Sequence, residues 1–358
     1  MNTGRRYMEV AIGLANKGKG EVYTNPLVGC VIVKDDKIVG KGWHQYFGGN
    51  HAEINALIDA GKNAKGADLY VTLEPCDSYG KKPPCSIAII KAGIKNVYYA
   101  MSDSNVSCGK KVLKKNGVGV FGGLLKEQAK VLIKDYLKYL KSKPKISIKV
   151  AMSLDGKIAT CKYDSKWITS EKSRAFAHKM RSRYDAILVG TNTALKDNPF
   201  LNTHSKTLKS PVRVVIDSKL ELPETCHLFD ATIPTIIIYD SNVVAIPSYL
   251  NKKGIILAPV NINMAKKNFA TITKKLNSLS IKRILIEGGG EVIASALFSN
   301  MVDDIYFFIA PKIIGGKFAV SSVGGRGVEK ICKSLPVKNM KVRKIGSDLL
   351  ITGNIGTK

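Results

Sequence analysis

Three short stretches constrain the first third of this chain more than anything else in it: His51-Ala52-Glu53, Glu74-Pro75-Cys76 and Pro83-Pro84-Cys85. One imidazole and two thiolates form a donor set that suits zinc, with a fourth tetrahedral position left for water. Three protein ligands mark a catalytic rather than a structural site, because zinc there brings the pKa of water toward neutrality. Such a site requires that the start of one helix, the end of a strand and the start of a second helix meet at one point. Glu53 follows His51 too closely to be a co-ligand. It is placed to carry a proton from the attacking water to a leaving amine. His-x-Glu followed by Pro-Cys and a further cysteine is the pattern of zinc deaminases. The residues between the cysteines, Asp77 to Pro84, make a loop longer than the usual two-residue gap, long enough to reach over a substrate.

The patterns around these stretches agree with an α/β layer fold. Residues 5–17 have helical spacing, 28–33 read as a buried strand, and Asp35-Asp36 as a turn into Ile38-Val39. A helix over 52–60, a strand over 68–73, a helix over 84–92 and a strand over 97–101 follow. A charged break with Pro144 lies at 138–145. Beyond it, strands are predicted at 146–151, 186–189, 212–216, 235–239, 254–257, 283–286 and 305–309, with helical patterns between several of them. The expected organisation is two α/β domains, 1–145 and 146–358, without an internal repeat.

Composition excludes several classes. The chain has 358 residues, 45% of them apolar, which can build a sizeable core and is unlike a disordered chain. No apolar run reaches the length of a membrane span, and the N-terminus lacks the apolar stretch of a secretion signal. The formal charge of +28 invites a nucleic-acid reading, yet arginine supplies only nine of the 56 basic residues. Lysines scattered along the chain fit solvated positions, whereas base readers favour arginine for bidentate contacts. Seven irregularly spaced cysteines argue against a disulfide framework. The expected protein is cytoplasmic, acts on a small molecule, binds neither nucleic acid nor membrane, and forms a homo-oligomer, with Asp303–Ile309 as an interface strand.

Longer motifs in both halves narrow this reading. Asn25-Pro26-Leu27-Val28-Gly29-Cys30-Val31, Gly42-Trp43-His44 and the stretch VTLEPCDSYGKKPPC at 71–85 resemble the RibD family, in which a pyrimidine deaminase is fused to a reductase. The second half carries the resemblance onward in Ala151-Met152-Ser153-Leu154-Asp155-Gly156-Lys157, in SKWITS at 165–170, in Gly190-Thr191-Asn192-Thr193, in Asp197-Asn198-Pro199, in Val215-Ile216-Asp217-Ser218 and in Glu287-Gly288-Gly289-Gly290. It covers nearly the whole chain. It implies a cytidine-deaminase-like N-terminal domain followed by a dihydrofolate-reductase-like C-terminal domain, with zinc and NADPH as cofactors. The implied reactions are hydrolytic deamination of a diaminopyrimidine bearing a phosphoribosylamino group, then reduction of the ribosyl group of 5-amino-6-(5-phosphoribosylamino)uracil to ribityl.

The resemblance also implies roles. Asn25, His44 and Lys81 would lie near the pyrimidine and its phosphate. Ala151, Ser153, Trp167, Thr193, Asp197, Ser218 and the run Gly289, Gly290, Glu291, Val292, Ile293, Ala294 and Ser295 would line the NADPH site. Ser165, Arg181, Leu201, His204 and Glu287 would face the reductase substrate. Glycines at 288–290 fit a close approach of backbone amides to a pyrophosphate, and the guanidinium of Arg181 suits a phosphate. Asp197 also reads as a turn residue before Asn198-Pro199. The chain lacks the Gly-x-Gly-x-x-Gly dinucleotide fingerprint. Three positions depart from the family. Asp77 and Ser78 stand where it usually has Ser and His, and His204 where it usually has Arg, so a phosphate contact there would depend on pH. Two other functions fit parts of the sequence: a deaminase of tRNA or other nucleic-acid bases, and a non-catalytic binding protein with degenerate reductase machinery.

Overall fold

The structure, a computed structural model, describes residues 2–77, 84–103, 109–142, 144–262 and 269–355. The chain divides into two compact units, Met1–Ser142 and Lys143–Lys358.

In the first unit α1 (Asn2–Asn16) precedes a hairpin of β1 (Gly29–Lys34) and β2 (Lys37–Trp43). Asp35 and Asp36 make its turn with positive φ, 49° and 54°, the backbone that a two-residue hairpin needs. Then come α2 (Ala52–Ala60), β3 (Asp68–Leu73), α3 (Cys85–Lys91), β4 (Asn96–Met101), α4 (Gly109–Lys115), β5 (Gly119–Gly122), α5 (Lys126–Leu132) and α6 (Lys134–Lys141). The sheet runs β2-β1-β3-β4-β5, antiparallel around β1 and parallel from β3 to β5. Alternation along β1 assigns its two faces. Cys30 and Ile32 pack with Ala52, Ala56 and Ile89, while Val31 and Val33 pack with Met8, Ala11 and Leu14. Helices thus cover both faces of the sheet.

The second unit contains β6 (Lys145–Ser153), β7 (Lys157–Ala159), α7 (Glu171–Arg181), β8 (Ala186–Gly190), α8 (Thr191–Asp197), β9 (Val212–Ile216), β10 (Thr235–Asp240), β11 (Ile255–Val260), α9 (Phe269–Ser278), β12 (Arg283–Ile286), α10 (Gly290–Phe298), β13 (Asp304–Ala310), β14 (Val320–Ser321), β15 (Val337–Ile345) and β16 (Asp348–Ile355). Nine strands form one sheet in the order β11-β10-β9-β8-β12-β6-β13-β16-β15. It is parallel from β11 to β13 and antiparallel beyond. Arg213 on β9 is fully buried and donates to Thr235 Oγ1, to Asp230 Oδ1 and to the carbonyls of His227 and Ile233. A buried cation is tolerated only when its donors are satisfied in this way.

Residues 303–309 do contain a strand, β13, which lies inside the sheet, paired with β6 on one side and β16 on the other. The hairpin of β15 and β16 lies outside the sequence expectations. Every β15 residue but Ile345 is exposed, so the strand lacks the alternating apolar pattern that betrays a half-buried strand. Among the described residues no helix is long and apolar enough to cross a membrane.

Candidate active sites

In the first unit, β3 ends at Leu73 and delivers Cys76, α2 begins just after His51, and α3 begins with Cys85. Their ligand atoms lie within 4.8 Å of one another. His51 Nδ1 is 3.2 Å from Cys85 Sγ and 3.5 Å from Cys76 Sγ. The Cys76 thiol is drawn down to about 4, first by its hydrogen bond with Cys85 and then by His51, against the opposing effect of burial. Cys85 is pushed up by the same bond with Cys76, by burial and by Glu53. The two sulfurs contend for protons that a metal ion would displace. Soft sulfur with imidazole, converging at this spacing, fits zinc. Cys76 also receives support that the sequence did not suggest. Ser86 N donates to the Cys76 carbonyl at 3.2 Å, and Ser86 Oγ donates to Asp77 Oδ1 at 2.7 Å. Asp77, one of the departures from the family, therefore ties the second ligand's strand end to the third ligand's helix.

Glu53 lies in the first turn of α2 and is 4% exposed. Burial raises its carboxyl above the usual range, and His51 partly opposes this. His44 is also buried, and burial lowers it to about 4, with the bond to Asn50 opposing and His51 adding to the shift. Its Nδ1 lies 3.0 Å from the Asn50 carbonyl, which can only accept. A neutral His44 therefore carries its proton on Nδ1 and accepts at Nε2, where Asn25 Nδ2 stands at 3.2 Å. The His44 and His51 rings meet edge to face at 5.9 Å. Asn25 and His44 thus stand beside the candidate ligands. Lys81 and Ser78 lie outside the described residues.

In the second unit a cleft of about 550 Å³ opens over the carboxyl ends of the parallel strands, the usual ligand position in such sheets. Of the residues expected at NADPH, Thr193, Asp197, Ser218, Gly289, Gly290, Glu291, Val292 and Ser295 line it, and so does Ser165 from the substrate set. The glycines suit a close ligand. Gly289 has φ +78°, and a Cβ on Gly290 would stand 2.6 Å from the Ser321 carbonyl oxygen. Glu291 is held back by Gly325 N at 2.9 Å. These features fit a dinucleotide lying across the turn between β12 and α10.

Other expected contacts are not brought to this cleft. Ile293 and Ala294 are buried on the far side of α10, since helical spacing sends 291, 292 and 295 the other way. The Ser153 hydroxyl is buried, donating to Asp155 Oδ1 at 2.6 Å and accepting from Lys157 N at 2.9 Å. Ala151 packs toward Phe308 and Leu350. Trp167 is exposed, with the Arg174 guanidinium 4.3 Å above its ring. Leu201 belongs to the core.

Arg181 and Glu287 form a buried pair. Arg181 Nε and NH2 donate to the two carboxylate oxygens at 2.7 and 2.9 Å, and NH1 donates to the Asn202 carbonyl at 2.6 Å. The ring of His204 lies 4.3 Å from that of His178. Sequence reasoning missed Lys149, whose Nζ is 3.6 Å from Glu287 Oε2. Burial lowers Lys149, and Glu287 opposes this. The available signal was a lysine inside the otherwise buried run Ile146 to Val150.

The sequence matches the description "RibD C-terminal domain" over residues 144–351 and "Cytidine and deoxycytidylate deaminase zinc-binding region" over 1–101. It is 42% identical to the riboflavin biosynthesis protein RibD of Aquifex aeolicus, covering 97% of both chains. It is 40% identical to that of Actinobacillus pleuropneumoniae, covering 96% of this chain and 93% of the other. A crystal structure from Thermotoga maritima, of a diaminohydroxyphosphoribosylaminopyrimidine deaminase/5-amino-6-(5-phosphoribosylamino)uracil reductase, is 35% identical over 99% of both chains, with a TM-score of 0.52. Similarity across both halves does not favour a nucleic-acid deaminase. The chain belongs to the RibD family: it is a bifunctional enzyme of riboflavin biosynthesis, a zinc-dependent deaminase joined to an NADPH-dependent reductase.

Proposed function

We propose that the chain deaminates diaminohydroxyphosphoribosylaminopyrimidine within residues 1–145 and reduces 5-amino-6-(5-phosphoribosylamino)uracil within 146–358, the two activities of the Thermotoga maritima relative. The observation that carries this reading is the convergence of His51, Cys76 and Cys85 beside a buried carboxyl, Glu53.

His51, Cys76 and Cys85 would hold zinc, which when bound supplies a Lewis acid that activates water at neutral pH. Glu53 takes a proton from the water as its oxygen adds to the amine-bearing ring carbon, and returns it to the nitrogen that leaves as ammonia. Burial raises its carboxyl above the usual range, which favours holding the proton between the two transfers. Neutral His44 fixes the Asn25 amide, turning the amide oxygen toward the ring as an acceptor for its N–H groups.

NADPH, when bound, would supply a hydride for the open-chain imine form of the ribosyl group. Ser218, Thr193 and the backbone from Gly289 to Ser295 hold the cofactor, Ile293 and Ala294 through main chain only. Ser165, Arg181, His204 and Glu287 would form the substrate end, which Leu201, buried in the core, could meet only through its main chain. Lys149, paired with Glu287, would donate a proton to the nitrogen of the open-chain imine as hydride adds to its carbon, leaving the ribitylamino product. The enzyme acts in the cytoplasm on small molecules, without nucleic acid or membrane, as a homo-oligomer.

Protein supplied with zinc and NADPH should release ammonia from the diaminopyrimidine and then oxidise NADPH. Cys76→Ala should lose zinc and deamination while still reducing the pre-deaminated uracil. Full deamination by that variant would remove the metal assignment.

A further inference from the structure

One residue on the cleft wall holds a backbone conformation that its type avoids. Tyr163 lies in the left-handed region, with φ +64°. The loop after β7 accounts for the geometry. Tyr163 N donates to the Thr160 carbonyl at 3.0 Å, and Thr160 N donates to the Asp164 carbonyl at 2.9 Å. Residues 161–163 thus close a hairpin-like turn whose last member is left-handed, a position that glycine fills without strain. The Thr160 hydroxyl accepts from Lys162 N at 3.3 Å and from Asp164 N at 3.2 Å, so the turn is also held from within. A bulky aromatic residue in this region is an outlier, and such outliers concentrate at active sites and ligand clamps.

The ring does not serve the core. Tyr163 is 55% exposed, and it lines the cleft together with Ile158 and Ala159 before it and Ser165 after it. Lys196 Nζ, from the last turn of α8, stands 5.0 Å from the ring centroid. Two bonds tie the loop to the end of α8. Ser165 Oγ donates to Asp197 Oδ1 at 3.1 Å, and Lys166 Nζ donates to the Asp197 carbonyl at 3.2 Å. The loop is therefore fixed on both sides of Tyr163, and the ring is left on the cleft wall. Its place along the cleft follows from the cofactor's chemistry. The pyrophosphate fits the Gly289-Gly290 turn, and the substrate lies toward Ser165. The nicotinamide riboside must span the distance between them, because its hydride has to reach the substrate. Tyr163 shares a loop with Ser165 and so flanks that half of the cofactor.

We propose that the Tyr163 ring packs against the nicotinamide riboside of NADPH, with Lys196 steadying the ring through its cation–π contact. The ring offers a flat apolar surface to a neutral, planar dihydronicotinamide. The left-handed backbone is the strain that the fold accepts to set it there. This rests on the reductase reading above.

The test is equilibrium binding and stability, independent of turnover. Affinities of the full chain for NADPH and for 2′,5′-ADP, which lacks the nicotinamide half, are measured by calorimetry. The thermal midpoint of the ligand-free protein is followed by circular dichroism. Tyr163→Gly should weaken NADPH by about fivefold or more while leaving 2′,5′-ADP within about twofold. It should not lower the midpoint, because glycine adopts the left-handed backbone freely. Tyr163→Asn tolerates that backbone but carries no ring, so it should repeat the loss and separate the ring from loop flexibility. Tyr163→Phe should keep NADPH within about twofold, since the ring and not the hydroxyl makes the contact. Unchanged NADPH affinity in Tyr163→Gly, an equal loss of both ligands, a lowered midpoint, full affinity in Tyr163→Asn, or a Tyr163→Phe variant as weak as Tyr163→Gly would each overturn the assignment. Failure of the wild type to bind either nucleotide would instead reject the reductase reading.

Discussion

Arg181 grips both oxygens of Glu287, at 2.7 and 2.9 Å, from the last turn of α7 to the exit of β12. Lys149 approaches the same carboxylate from β6. Each charge was desolvated on folding, and each depends on the others to remain charged. Removing one partner strands the rest. Arg181→Met should destabilise the protein by about 3–5 kcal/mol, seen as a lower urea midpoint at unchanged slope. A loss below about 1 kcal/mol would mean that water screens the pair.

The same cluster sets an acid limit. Burial would raise Glu287, but Arg181 and Lys149 hold it near 2. His178 is lowered to about 4 by burial, then by Arg181, His204 and Lys149, with Glu287 opposing. Between its unfolded pKa near 6.5 and about 4, the unfolded chain binds the His178 proton and the folded chain does not, so stability falls as pH falls. Glu287 adds its own loss only lower, between roughly 4 and 2. Thermal unfolding of the wild type should therefore weaken from pH 6.5 to pH 4. His178→Gln should make that part of the profile shallower, His44 keeping its own share of the slope, and an identical slope in both proteins would contradict the account.

Glu53→Gln keeps the shape of the side chain and removes its basicity. Deamination should drop by about 10²–10⁴-fold with zinc content unchanged. Loss of the metal in that variant would make Glu53 a structural residue.

Asp77 offers a test of support around the ligands. Asp77→Ala leaves the buried Ser86 hydroxyl without its acceptor and loosens the link between Cys76 and Cys85. Zinc affinity, measured by competition with a chelator, should fall about 10–100-fold. Asp77→Asn, which can still accept, should fall less.

A methyl group at Gly290 would meet backbone, the Ser321 carbonyl oxygen, which cannot swing aside as a side chain would. Gly290→Ala should cost about 1–3 kcal/mol of stability and weaken NADPH binding, read from cofactor fluorescence. Retention of both would show that the strand carrying Ser321 yields.

The deaminase site was largely legible in the sequence because its pieces are local. His51, Cys76 and Cys85 each sit at a strand or helix end marked by proline or by a change of period. The reductase half was legible only as motifs. Arg181 and Glu287 lie 106 positions apart, and nothing in either segment says that they pair. The run from 289 to 295 was one motif, yet helical periodicity splits it between cleft and core. Lys149 looked like one lysine among many until β6 buried it. The lysine excess hid β15 in the same way, since an exposed edge strand needs no apolar face.

What the sequence determined alone was identity of chemistry: which side chains can bind a metal, and which half carries the deaminase and which the reductase motifs. Only the tertiary structure decided partnership. Desolvation and charge act between residues that the chain's order does not bring together. Asp77 became a brace and Arg181 the partner of Glu287 once the strands were set in register and water was excluded.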